Sequence, residues 1–237
     1  RLSKSMQPVV ILGGFLITDE AYGPMSQWLE AQGGIDVSVV HASRLDWLLT
    51  SSAWGWQRLL QRVDHSVRQA RDRCAGAPVT LIGHSSGGVM LRLYLAEHGL
   101  EGASLNGQKL CDRLISLGSP HQAKRATRLR ELVDRLHPGC ACAPDVDYVS
   151  VAGRLDLSSA QASGFARRSA ANSYKQIGAQ PDDPGDGLVP VSSAWLKDSR
   201  LIELEATAHG GLFGQPWYGS IERLSQWWPQ AMKKPPP

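Results

Sequence analysis

Short apolar runs alternate with amphipathic stretches along most of the chain. Each run is rich in valine, isoleucine and leucine and ends close to a glycine or a polar residue, which is typical of buried strands. Six such runs lie at residues 8–15, 36–42, 77–83, 112–120, 147–153 and 200–206. The pattern therefore predicts six strands, most of them covered on both faces.

Helical periodicity fills the intervals between these runs. The clearest example begins near Trp54, where apolar residues recur at i, i+3, i+4, i+7, i+11 and i+14. These residues are Trp56, Leu59, Leu60, Val63, Val67 and Ala70. Further helices are predicted within residues 22–33, within 87–99 and from Ile221 to Trp228. Alternating strands and helices predict an α/β fold with a mainly parallel sheet and helices on both faces, in which ligands bind at the carboxyl ends of strands.

Composition narrows the class of protein. The 237 residues suffice for one large domain, and we expect a single domain over residues 1–237. A formal net charge of +3 lacks the strong basic bias of nucleic-acid-binding domains, so no nucleic-acid partner is expected. No apolar run reaches the roughly 20 residues of a membrane span, and the first residues lack the apolar core of a secretory signal. We expect a cytoplasmic protein, with Met6 as a candidate natural start.

The chain has four cysteines, which are too few for a disulfide-built scaffold of this length. Cys140 and Cys142 form a C-x-C pair that allows either a strained disulfide or half a metal site. Cys74 is predicted to end a helix and Cys111 to open a strand, so they complete no metal-ligand set. We expect structural thiols with no metal and no cofactor, and the redox state of Cys140 and Cys142 stays open.

The segment GHSSG, residues 83–87, lies between a predicted strand and a predicted helix. It fits the pattern G-x-S-x-G, in which the central serine occupies a tight and strained turn. Gly83 and Gly87 provide the small neighbours that such a turn requires, and the helix directs its N-terminus towards Ser85. Ser85 is therefore a candidate nucleophile. The alternative is a glycine-rich turn that only packs a helix on the sheet.

Four further segments extend this pattern. They are ILGGF at 11–15, SLGSPH at 116–121, GDGLVPVSSA at 185–194 and AHGGLF at 208–213. Together with the GHSSG turn they resemble the α/β-hydrolases, and in particular the lipase-like members of that superfamily. The matches are spread over roughly residues 8 to 228. In this comparison ILGGF resembles the oxyanion loop, and Gly13 stands where many relatives carry histidine.

The resemblance implies a catalytic triad in the chain order serine, acid, histidine. His209 in AHGGLF then acts as the base, and Asp186 in GDGLVPVSSA orients it, with Asp156 as the alternative acid. The backbone N–H groups of Phe15 and Ser86 are the implied oxyanion donors. The activity implied is cleavage of a carboxylic ester with an acyl or lipid-like group, through an acyl-enzyme. The alternatives are an acyltransferase or thioesterase on the same triad, or a non-catalytic hydrolase-like binding protein.

Residues 121–146 form an insert that, by the same resemblance, caps the active site. Its basic residues outnumber the acidic Glu131, Asp134 and Asp145, and an apolar stripe recurs at i, i+3, i+4 and i+7. The stripe consists of Leu129, Leu132, Val133 and Leu136. A basic amphipathic helix at this point predicts a lid that contacts an anionic membrane surface or an acidic substrate. The alternative is a solvated helix packed on the body of the domain.

Two side chains are candidates for substrate binding. Trp54 lies in the tryptophan-rich segment 45–56, which also contains Trp47 and Trp56 and is a candidate wall for an acyl chain. His121 follows a predicted strand and is a candidate pocket residue. Core packing is the alternative for each tryptophan.

Overall fold

The fold is centred on one six-stranded sheet. The computed structural model describes residues 6–15, 17–97, 105–122, 128–157, 163–176, 183–210 and 212–235. Its strands are β1 (Gln7–Leu12), β2 (Ile35–Val39), β3 (Val79–His84), β4 (Cys111–Leu117), β5 (Asp147–Arg154) and β6 (Arg200–Glu205). They pair in the order β2-β1-β3-β4-β5-β6, and every neighbouring pair is parallel. The prediction of six strands in a parallel sheet is confirmed.

Helices cover both faces of this sheet. They are α1 (Gly23–Ala31), α2 (Arg44–Leu49), α3 (Ala53–Arg73), α4 (Ser86–Leu95), α5 (Arg128–Leu136), α6 (Gly164–Gln176), α7 (Val191–Ala194) and α8 (Ile221–Ala231). Alternate residues of β1 serve different cores, because successive side chains of a strand point to opposite faces. Val10 and Leu12 join the core formed with α3, α4 and α5, whereas Val9 and Ile11 join the core formed with α1 and α8. None of the helices within the described residues has both the length and the apolar character of a membrane span.

Helix α2 was not predicted from the sequence, although its N-terminus carries a recognisable signal. Ser43 and Asp46 form a capping box, in which Asp46 N donates to Ser43 Oγ at 3.1 Å and Ser43 N donates to Asp46 Oδ2 at 2.8 Å. The helix buries Trp47, and α3 buries Trp56, in the same core. The interpretation of segment 45–56 as an acyl-chain wall is therefore wrong for these two tryptophans. Trp54 is 58% exposed.

Asp46 also fastens α2 to α3, because Arg62 Nη1 donates to Asp46 Oδ2 at 2.6 Å. Burial opposes the charge of Asp46, but the hydrogen bonds from Ser43 and Arg62 outweigh it and lower its pKa to about 2. We expect Asp46→Asn to lower the free energy of unfolding by about 1–2 kcal/mol at neutral pH. The difference should hold above a pH of about 4 and shrink as the pH falls towards 2. Urea unfolding across this pH range, with Asp36→Asn as a surface ion-pair control, measures it.

The described part of the insert is a helix packed on the domain. Leu132 and Val133 are buried in the core that contains α4, and Arg92 of α4 donates to the carbonyl oxygen of His137 at 2.7 Å. Residues 123–127 and the side chain of Leu129 lie outside the described part. The apolar stripe is thus used for packing as far as the structure describes it, which favours the alternative of a packed helix. Movement of this insert as a lid stays a prediction.

Cysteine positions agree with the sequence. Cys74 caps the C-terminus of α3, and Cys111 is the first residue of β4. All four cysteines are free thiols.

Candidate active site

Ser85 occupies a strained turn between β3 and α4. Its backbone has φ 55° and ψ −124°, a conformation that costs a residue with a side chain about 1–3 kcal/mol. A side chain on Gly83 would collide with the backbone of Gly88, and one on Gly87 would collide with the carbonyl groups of Leu12 and Gly13. The two glycines are therefore needed to bring strand, turn and helix this close. This is the geometry expected of a nucleophile elbow.

The loop after β1 lies directly against this turn. A Cβ atom on Gly14 would be 3.0 Å from Ser85 Cβ and 3.3 Å from the carbonyl oxygen of His84. Across the described residues, the backbone N–H groups of Phe15 and Ser86 donate to no protein acceptor. Phe15 follows Gly14 and Ser86 follows Ser85, so both amides belong to the two segments that meet at the serine. Amides in such positions can stabilise the oxyanion of a tetrahedral intermediate.

Asp186 and His209 form a buried pair, with His209 Nδ1 2.8 Å from Asp186 Oδ2. The same carboxylate oxygen accepts a hydrogen bond from the Tyr218 hydroxyl at 2.7 Å. The other oxygen, Oδ1, accepts from the backbone amides of Leu188 at 3.0 Å and Val189 at 2.8 Å. The carboxylate is therefore held by four donors and fixes the orientation of the imidazole ring.

Burial alone would favour the neutral form of Asp186. The proximity of His209 and the hydrogen bonds from His209, Val189 and Tyr218 outweigh the effect of burial. Together they hold the pKa of Asp186 below its ordinary value. The carboxylate is therefore charged at neutral pH. It can stabilise an imidazolium at His209 without taking the proton itself.

Ser85 is brought to this pair through its neighbour in sequence. His84 Nε2 lies 2.8 Å from the carbonyl oxygen of His209, and the centroids of the two rings are 4.9 Å apart. Ser85 Oγ and His209 Nε2 share no hydrogen bond in the described part of the chain. Such bonds are often long in free enzymes and tighten when substrate binds.

The other candidate residues lie in different surroundings. Asp156 follows β5, but the carboxylate that contacts His209 is that of Asp186. His121 is buried, and its Nε2 lies 3.0 Å from Ser116 Oγ inside the sheet, so the structure does not place it on an open pocket wall. Trp54 is exposed at the start of α3, with the guanidinium of Arg58 5.5 Å from its ring centroid.

Aromatic side chains flank the site on two sides. The ring of Phe15, 46% exposed, stands edge-on to Trp47 at 6.2 Å between centroids. On the other side Phe213 lies 5.3 Å from the His209 ring and 5.2 Å from that of Phe165. An apolar rim thus borders both the loop after β1 and the histidine.

Two tyrosines of the site were not predicted. Tyr218 binds Asp186, and Tyr22 binds both Gly14 and His84. Neither residue belongs to a motif with fixed spacing, so no local signal in the sequence indicates it.

Comparisons with known proteins agree with this architecture. No family model and no curated protein matches the sequence. Among solved structures, the lin2722 gene product from Listeria innocua shares 14% identity over 97% of this chain and 96% of its own, with a TM-score of 0.57. Est1E from Butyrivibrio proteoclasticus, solved with ferulic acid bound, shares 12% identity over 98% of this chain and 92% of its own, with a TM-score of 0.55. Likeness at these identities concerns the fold. With its parallel sheet and its strand–serine–helix turn, the chain has the α/β-hydrolase fold.

Proposed function

We propose that this protein is a serine hydrolase that cleaves carboxylic esters whose acid part is an acyl chain or another apolar group. The observation that supports this most is the strained Ser85 at the end of β3, next to the buried Asp186–His209 pair. A turn that only packs a helix on the sheet has no need of a serine in a strained conformation.

In this mechanism Ser85 Oγ attacks the ester carbonyl carbon while His209 Nε2 takes the hydroxyl proton. The carbonyl oxygen becomes an oxyanion that accepts hydrogen bonds from the amides of Phe15 and Ser86. His209 then gives its proton to the leaving alkoxide oxygen, and an acyl-enzyme remains on Ser85. Water attacks this ester with His209 again as base, which releases the acid and restores the serine. Asp186 stays charged throughout.

The aromatic rim supports an apolar acid group in the substrate. The exposed ring of Phe15 lies on one side of the site, and on the other Phe213 contacts the ring of His209 and that of the exposed Phe165. Exposed aromatic side chains beside a catalytic centre provide apolar area for binding. The same rim also suits an aromatic acyl group. Est1E, which shares the fold, was solved with ferulic acid bound.

Hydrolysis of nitrophenyl esters from acetate to laurate tests this proposal. We expect kcat/KM to rise with acyl length, and Phe165→Ala to lower it about 3- to 10-fold for laurate but little for acetate. Leu201→Ala removes another exposed apolar side chain, on the edge strand β6, and should change neither value. Activity confined to acetate, with no effect of Phe165→Ala, would contradict the apolar acid group.

Acyl transfer is separated from hydrolysis by the products. With an added alcohol, an esterase yields mostly the free acid, whereas an acyltransferase yields mostly the new ester. Parallel reactions with an acyl thioester distinguish a thioesterase, because all three activities use the same triad and differ in acceptor or leaving group.

A further inference from the structure

A second buried hydrogen-bond network lies beneath the catalytic residues, centred on Tyr22. This tyrosine ends a short 3-10 helix, Asp19–Tyr22, and is fully buried. Its hydroxyl accepts a hydrogen bond from the backbone N–H of Gly14 at 2.8 Å and lies 2.7 Å from His84 Nδ1. His84 Nε2 in turn lies 2.8 Å from the carbonyl oxygen of His209.

The chemistry of the partners fixes the direction of two of these bonds, and the neutral state of His84 fixes the third. A backbone N–H can only donate, so the Tyr22 oxygen accepts from Gly14 and its own proton is available to His84 Nδ1. A carbonyl oxygen can only accept, so His84 Nε2 carries the proton and donates to His209. A neutral His84 protonated on Nε2 satisfies all three bonds at once.

Neither side chain of the network titrates near neutrality. Burial and the proximity of His209 lower the pKa of His84 to about 3, and burial raises the pKa of Tyr22 well above its ordinary value. We therefore expect the same tautomer and the same three hydrogen bonds throughout the pH range around neutrality.

Packing ties the loop after β1 to the tyrosine as well. A side chain on Gly13 would collide with the Tyr22 ring, whose Cζ and hydroxyl oxygen would be 2.8 and 2.9 Å from its Cβ. The tyrosine ring at position 22 therefore leaves room only for a glycine at position 13. The next two residues of the loop are Gly14, held by the tyrosine hydroxyl, and Phe15, which supplies an oxyanion amide in the proposed mechanism.

We propose that Tyr22 and His84 are positioning residues that hold the oxyanion loop and the His209 backbone in one fixed arrangement. This inference rests on the proposed function. Tyr22 fixes Gly14, one residue before the Phe15 amide, and His84 lies between Tyr22 and His209, one residue before Ser85. Neither side chain touches the substrate, and both act through the groups that do.

Tyr22→Phe removes the hydroxyl and keeps the ring. We expect kcat to fall about 10- to 100-fold, less than the loss of an entire oxyanion donor, because the Phe15 amide is displaced rather than removed. KM should change by less than about twofold, since the loop contributes in the transition state rather than in substrate binding. The pH dependence of kcat/KM should keep its midpoint, because the Asp186–His209 contact is intact.

Tyr148→Phe is a closely matched control. Its hydroxyl also accepts from a backbone amide, that of Cys142 at 3.1 Å, and also lies 2.7 Å from a histidine nitrogen, Nε2 of His137. The Tyr148→Phe variant should lose about as much stability as Tyr22→Phe but keep the wild-type kcat. Tyr218→Phe removes a hydrogen bond to Asp186. It should therefore shift the midpoint of the pH dependence of kcat/KM, which Tyr22→Phe leaves in place.

Should Tyr22→Phe fail to fold, His84→Asn tests the same network, with the same kcat loss expected. A ¹⁵N NMR spectrum of His84 in Ser85→Ala protein gives a readout that needs no turnover, and it should show the Nε2-protonated neutral ring down to a pH of about 4.

Wild-type kcat in folded Tyr22→Phe, or a charged or Nδ1-protonated His84 at neutral pH, would overturn this inference alone, provided Ser85→Ala is inactive. A folded wild-type protein that hydrolyses no ester and reacts with no serine-directed probe would overturn the proposed function and this inference together.

Discussion

Ser85→Ala is expected to lower kcat for ester hydrolysis by about 10⁴-fold or more and to abolish labelling by a fluorophosphonate probe. The oxygen that attacks the carbonyl is lost, and neither Asp186 nor His209 replaces it. The fold should be unaffected, because alanine meets the same backbone conformation as serine and Ser85 Oγ has no hydrogen-bond partner among the described residues. Thermal unfolding of the variant should therefore match the wild type or exceed it.

Ser86→Ala is the matched control for this experiment. Ser86 is the first residue of α4 and contributes its backbone amide, not its hydroxyl, to the proposed oxyanion site. Its replacement should change kcat by no more than a few-fold. Turnover of Ser85→Ala within a few-fold of the wild type would remove Ser85 from the mechanism.

Asp186→Asn has the second largest expected effect, a loss of about 10³- to 10⁴-fold in kcat. The carboxylate now accepts the Nδ1–H of His209 and stabilises the imidazolium. An asparagine amide can instead donate to Nδ1, which places the histidine proton on Nε2 and leaves no acceptor for the serine proton. Because the variant keeps the shape of the side chain, probe labelling and turnover should fall together while far-UV circular dichroism stays the same.

Asp156→Asn distinguishes the two acids that the sequence offers. Asp186 contacts His209, so the Asp156 variant should retain a kcat close to that of the wild type. The reverse ranking, with Asp156→Asn inactive and Asp186→Asn active, would show that the buried pair is not the catalytic one.

The sheet was predictable from the sequence because its four inner strands, β1, β3, β4 and β5, are largely buried and appear as short apolar runs. Helix α2 was missed although Ser43 and Asp46 form a capping box, since its six residues are too few to show helical periodicity. Trp47 in that helix is core, which periodicity over so short a segment does not reveal. Local patterns thus predict long elements better than short ones.

The residues of the candidate site also fall into those that local sequence patterns indicate and those that they miss. Ser85, Asp186 and His209 each lie in a glycine-rich segment with fixed spacing, so motif comparison indicates them one by one. Tyr22 lies 62 residues from its partner His84, and Tyr218 lies 32 residues from Asp186. Such contacts depend on the packing of α1 and α8 on the same face of the sheet, and a single tyrosine carries no local mark of them.

Mapping of a covalent adduct tests the central claim most directly. The wild-type protein is treated with a fluorophosphonate, digested with trypsin, and the peptide Cys74–Arg92 is sequenced by mass spectrometry. Ser85 as the nucleophile predicts one adduct per chain, located on Ser85 and absent from Ser86 and Thr80. An adduct on any other residue of the folded protein, with Ser85 unmodified, would contradict it.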